Sequence, residues 1–182
     1  MAMTLITTNT HTSDSDATSD FTSGIDSTYK LYIFKFININ PATDGAALTF
    51  QGNASDATGY NETMTTTFFR SYHREDDAEY GVGYVADSDQ AQGTAFQYLT
   101  AAAQMGNEAD ASVAGTLWLF NPSNTTYVKH FCCTTQSGNT TGNAASQHAF
   151  IAGYFNTTTA IDDIQFKMAS GNMDGVIKMY GV

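Results

Sequence analysis

Short runs of apolar residues, separated by small polar ones, recur along most of this chain. Residues 29–39 (YKLYIFKFINI) are apolar at both parities, which predicts a central strand covered on both faces. Residues 47–51 put Leu48 and Phe50 on one face of a short strand. Residues 63–72 (TMTTTFFRSY) alternate, and their run of threonines favours strand over helix. Residues 113–120, 126–135, 149–156, 164–168 and 176–182 repeat the strand pattern. Turn chemistry divides them at Pro41 to Gly45, at Asn121-Pro122-Ser123-Asn124 and at Gly171-Asn172. About eight strands result, with the close spacing of an all-β sandwich or barrel.

Two stretches depart from this pattern. Residues 73–79 read as a charged loop, and residues 91–105 carry Ala95, Phe96, Leu99, Ala102 and Ala103 at helical spacing. They predict either a short helix ended by Gly106 or a packed loop crossing one end of a sheet. Residues 1–28 are dominated by Thr, Ser and Asp, and cannot bury enough apolar surface to fold alone. Such an arm is ordered only where it is tied down. The expected tie is a strand at Thr4, Leu5, Ile6, Thr7 and Thr8, added to a sheet edge outside its own domain. Packing along its own sheet is the alternative.

The expected organisation is therefore an extended arm over 1–28 and an antiparallel, jelly-roll-like β-sandwich over 29–182. Its core is expected to hold Leu31, Ile33, Phe34, Phe36, Phe50, Phe68 and Leu117 in the first part. Leu119, Val128, Phe131, Ile151, Phe155, Phe166 and Ile177 follow in the second.

Charge narrows the function. The chain has 182 residues, with 7 basic against 18 acidic side chains and a net charge of −11. That sign opposes the positive surface nucleic acids and anionic lipids require. Charged residues make up only 14%, roughly one residue in seven is Thr, and aromatics reach 13%. The N-terminal stretch lacks the basic start and apolar core of a signal peptide, and no run approaches the ~20 apolar residues of a membrane span. Synthesis in a cytosol is expected, without membrane insertion. Cys132 and Cys133 are adjacent, so on a strand they point to opposite faces and are expected to be buried free thiols.

No catalytic constellation emerges. His130 adjoins a strand core and reads as a structural histidine. His73 lies among Arg74, Glu75, Asp76, Asp77 and Glu79, a run that reads as a solvated loop. The run Asp14, Asp16, Asp20 loosely resembles a calcium loop but lacks the Gly and Glu that shape one. No cofactor or metal is expected.

Two phrases carry a resemblance. Residues 21–45 (FTSGIDSTYKLYIFKFININPATDG) and the ending 164–182, with its Gly175-Val-Ile-Lys-Met-Tyr-Gly-Val182, resemble a recurrent virion module of tailed bacteriophages, notably of aquatic bacteria and cyanobacteria. Residues 117–129 and 150–156 resemble it more loosely. The resemblance implies a jelly roll, often trimeric, without catalytic residues, placed on a virion assembled in the host cytoplasm. The partners it implies are the chain itself, as a homotrimer, and the major capsid protein or another virion protein. The first expectation is a head decoration or cement protein that ties shell subunits together by its arm. The alternative is the receptor-binding domain of a tail fibre or spike. There, loops 53–62, 73–90 and 136–146 would meet a host glycan through Tyr60, Tyr80 or Tyr84. A third alternative is a glycan-active enzyme using carboxylates near Glu75 to Glu79.

Overall fold

A computed structural model describes residues 2–102, 105–139 and 144–182, except the side chains of residues 13–15 and 139. Among these residues the regular structure is strand throughout. In chain order the strands are β1 (Thr4–Asp16), β2 (Thr18–Phe21), β3 (Leu31–Pro41), β4 (Leu48–Ala54), β5 (Met64–Arg74) and β6 (Tyr80–Tyr84). Then follow β7 (Gln97–Tyr98), β8 (Val113–Phe120), β9 (Lys129–Asn139), β10 (Ala145–Phe155), β11 (Ile161–Met168) and β12 (Met173–Gly181).

All pairings are antiparallel. One sheet has eight strands in the order β1-β12-β3-β8-β9-β10-β5-β6, and the other has four in the order β2-β11-β4-β7. The chain alternates between them. It leaves the large sheet for the small one at β2, β4, β7 and β11, and returns each time. The result is an all-β sandwich, as the alternation of the sequence predicts.

Aromatic rings fill the space between the sheets. Phe166 lies 5.2 Å from both Phe34 and Phe36, centroid to centroid, and 5.9 Å from Phe21. Phe50 meets Phe131 edge-on at 4.9 Å, and Phe131 meets Phe155 at 5.4 Å. Edge-on contacts suit the ring quadrupoles and add to the hydrophobic gain. Gly153 makes room for this packing: a Cβ there would stand 2.9 Å from Phe131 and 2.7 Å from the Thr65 carbonyl.

The N-terminal stretch takes the alternative stated for it, packing along its own sheets. Within residues 1–28, β1 pairs with β12 of its own large sheet and β2 pairs with β11 of its own small sheet. Phe21 and Ile25 are buried in the shared core. The stretch is polar on average, but these few apolar positions are enough to anchor it when a sheet edge supplies backbone partners.

The helix alternative over 91–105 is also corrected. β7 lies there, and the rest of the described stretch is irregular. The Gln97 amide is the reason. It donates to the Ser88 and Tyr98 carbonyls, both at 2.8 Å, and accepts from Thr66 Oγ1 at 2.7 Å. The Leu99 N–H goes to Leu48 O at 2.8 Å. These bonds replace a helical ladder and hold Leu99, Ala101 and Met105 in the core.

Twelve of the fourteen expected core residues are buried, while Leu31, on the outward side of β3, and Val128, just before β9, are half-buried. Ile33 is buried, yet it stands on the opposite side of the sheet from the core.

Candidate functional site

The two sheets differ in what covers their outer faces. The small sheet is roofed by loops. Gln51, fully buried, donates to the Glu62, Thr94 and Ala95 carbonyls at 3.0, 3.2 and 3.1 Å. Tyr60 packs 6.5 Å from Phe96, and Lys167 lies 4.0 Å over the Phe96 ring. Tyr60 is therefore half-buried rather than an exposed loop tip. Burial, then the charges of Asp20, Asp163 and Asp162, push its hydroxyl up to about 12.

Among the described residues the large sheet has no such roof, and its register lays out the outward side chains in rows. One row crosses all eight strands. Its first half, from β1 to β8, is Thr8, Lys178, Lys35 and Thr116. Its second half, from β9 to β6, is Thr134, Phe150, Phe69 and Tyr84. Phe69 and Phe150 stack at 4.8 Å and 10°, with Phe69 44% exposed and Tyr84 57% exposed.

The next row runs parallel to it. Its first half is Leu5, Tyr180, Ile33 and Trp118, and its second half is Cys132, Ala152 and Thr67. Large side chains occupy one half and small ones the other. Over the small half lie hollows in a line. One of about 550 Å³ lies at Phe120, Tyr127 and His130. A second of about 320 Å³ shares His130 and continues over Cys132 and Ala152. A third of about 220 Å³ shares Cys132 and Ala152 and ends at Phe150. The flanking rows, through Phe120, His130 and Tyr154 on one side and Ala114, Gln136 and His148 on the other, hold no acid at these positions either. A chain of net charge −11 thus presents a face with two lysines, aromatic rings and no carboxylate in its two central rows.

The residues expected to bind a partner lie at one edge of this face. Thr4 pairs with Gly181, Leu5 with Tyr180, Thr7 with Met179 and Thr8 with Lys178, with a bulge at Ile6. The expected strand exists, but its partner is the chain's own β12. Leu5 is 51% exposed, while Ile6 turns inward against the core. Sequence reasoning missed the rest of the face, because its members come from strands far apart in the chain.

The adjacent cysteines point to opposite faces, as expected. Cys133 is buried, and burial pushes its thiol well up, with Cys132 adding to the shift. Cys132 is exposed, which corrects the expectation that both are buried. His130 is exposed too, its ring 6.0 Å from Tyr154.

The charged stretch at residues 73–89 forms local pairs. His73 meets Asp77 at 3.0 Å, Arg74 meets Asp76 at 2.5 Å, and Tyr72 donates to Glu79 at 2.7 Å. Arg74, by its hydrogen bonds, holds the Asp76 carboxyl below its usual range. This stretch was expected to be loop, but it contains β6, whose Tyr80 and Val82 are the most exposed large apolar residues described. Beside β6 is a groove of about 540 Å³ lined by Arg70, Tyr72 and Asp87. The expected loop 136–146 is mostly the β9–β10 hairpin, and residues 140–143 lie outside the described residues.

The aspartates of the N-terminal run go to separate partners. Asp16 meets His11 at 2.9 Å, and Asp20 accepts from Thr18 at 2.6 Å and from Gln165 at 2.5 Å. The Asp14 side chain lies outside the described residues.

No protein-family model and no curated protein matches the chain. Among solved structures it is similar to a structural-genomics protein of unknown function from Bacteroides ovatus, at 5% identity and a TM-score of 0.33. That match covers 64% of this chain and 45% of the other.

Proposed function

We propose that this chain is a non-enzymatic structural protein of a tailed-bacteriophage virion, a head decoration or cement protein assembled in the host cytoplasm. The observation that carries this reading is the unroofed outer face of the large sheet. Exposed apolar side chains on an open face, here Leu5, Phe69 and Tyr84, are what a contact surface presents. A flat face of this kind fits broad packing against another chain of the virion, a second copy of this one included. The resemblance of residues 21–45 and 164–182 supplies the phage setting.

The strand order supports the jelly-roll reading of the fold. The small sheet, β2-β11-β4-β7, has the order of one four-stranded jelly-roll sheet. The large sheet corresponds to the other, with β8-β9-β10 as a three-stranded insertion in place of one strand and with β12 and β1 added at an edge.

The second reading, a receptor-binding domain at a tail fibre or spike, is favoured by one observation. Tyr84, exposed on edge strand β6, lines the groove at Arg70 and Tyr72, Tyr80 is exposed on the same strand, and sugar rings stack on such aromatics. Copy number and position on purified particles, by quantitative gel and cryo-EM, test both. Hundreds of copies on the head support decoration. Tens of copies at the tail support the second reading, and absence from the particle overturns both.

A further inference from the structure

We propose that the outer face of the large sheet is a two-fold interface between two copies of this chain, with the axis parallel to the strands and running between β8 and β9. The inference uses the face on which the proposed function rests and names a second copy of this chain as its occupant; the particle test of the virion role and the dimer test fail separately.

The axis divides the eight strands four and four. Turning a second copy about it lays β8 on β9, β3 on β10, β12 on β5 and β1 on β6. Because the axis follows the strands, each row meets the same row of the other copy. Lys35 then faces Phe150 of the second copy, and Lys178 faces Phe69 of the second copy. Thr116 meets Thr134, a pair of hydroxyls. The symmetry repeats every contact, so four lysine–aromatic pairs form. An ammonium over a ring face is attracted by the ring quadrupole, more strongly once water is excluded.

The second row is complementary in shape. The same rotation seats Trp118 over Cys132, Ile33 over Ala152 and Tyr180 over Thr67. Each large side chain meets a small one, and the hollow over Cys132 and Ala152 receives Trp118, which is half-buried in the single chain. The large half and small half of one row thus become ridge and groove for each other.

The alternative two-fold, across the strands, keeps each strand over itself. On the lysine row it brings the lysines of the two copies together, and on the second row it sets Trp118 on Trp118 and leaves the hollows over Cys132 and Ala152 facing each other. Charge and shape together favour the strand-parallel axis. Two acidic chains also meet with least repulsion where the central rows carry no carboxylate of their own. The area suffices: about 30 outward positions at strand spacing cover roughly 1,000 Å², against about 800 Å² per partner in a stable complex. Face-to-face sheets pack at about −30°, so contacts nearest the axis, those of Trp118, Ile33 and Lys35, keep the closest register.

Sedimentation velocity across a concentration series tests this on the full chain. The wild type is expected to be a concentration-dependent dimer. Ala152→Trp fills the hollow on an exposed position, and Lys35→Glu and Phe150→Lys each unbalance the charged row. Each is expected to weaken dimerisation at least about tenfold, with thermal unfolding confirming the fold. The double variant Lys35→Glu/Phe150→Lys is expected to recover dimerisation, because each new charge faces its opposite across the axis. Within one copy the two positions lie three strands apart, about 14 Å, so intramolecular rescue is weak. A monomer at the highest soluble concentration, a trimer, or a double variant weaker than either single one overturns the proposal.

Discussion

Lys35 and Lys178 stand directly opposite each other on neighbouring strands of the large sheet's outer face. Like charges in that position are destabilising, by a few tenths to about 1 kcal/mol. Lys35 is partly compensated by donating to Thr116 Oγ1 at 2.9 Å. A face that keeps such a pair in a chain with 18 acidic residues points to compensation from outside the monomer.

Lys178→Thr is therefore expected to stabilise the dilute chain by about 0.2–1 kcal/mol at low salt, with the gain shrinking as salt screens the pair. The same change is expected to weaken self-association. Urea unfolding at two ionic strengths measures the first effect. A loss of stability at low salt would mean that the pair is not repulsive.

Phe21 and Leu5 lie in the same Ser/Thr-rich stretch but on opposite sides of the fold. Phe21 is buried against Phe34 at 5.2 Å, whereas Leu5 is 51% exposed. Phe21→Ala is expected to cost about 3–5 kcal/mol, as for a core aromatic. Leu5→Thr is expected to change stability by no more than about 0.5 kcal/mol. Equally small effects in denaturant titrations would show that the stretch is a dispensable arm.

Tyr60 ties the alkaline limit to the roof over the small sheet. Burial raises its pKa to about 12 in the folded chain, from the ordinary 10.0 of a tyrosine. The neutral hydroxyl is favoured on folding, so this stability is fully present below pH 10 and is lost as pH rises toward 12. Tyr60→Phe is expected to flatten the fall of the unfolding midpoint over that window. An unchanged slope would place the alkaline limit elsewhere.

The strands were legible where alternation is strict. The Thr-rich run at 63–72 became β5 (Met64–Arg74) almost residue for residue. β6 was hidden because it is short and two of its five residues are Gly81 and Gly83, which weaken a strand even though Tyr80, Val82 and Tyr84 alternate. The helical spacing at 91–105 misled because Ala and Leu fit a packed loop as well as a helix, and only the Gln97 bonds decide between them. Phe21 and Ile25 were too few to stand out from their polar neighbours. The outer face was not legible at all. Its rows depend on cross-strand register, which sets Lys35 beside Lys178 and Trp118 beside Cys132, and one sequence without structure does not give that register.

Cys132 offers a direct probe of the large sheet's outer face, since its exposed thiol lies in the centre of the apolar row while Cys133 is buried on the other side. The measurement is the rate of Cys132 alkylation by a neutral maleimide, followed by peptide mass spectrometry, for the dilute chain and for assembled particles. The expected result is fast labelling of Cys132 in the dilute chain, strong protection in particles, and no labelling of Cys133 in either until unfolding. Equal Cys132 rates in the dilute chain and the particle would contradict a working role for this face.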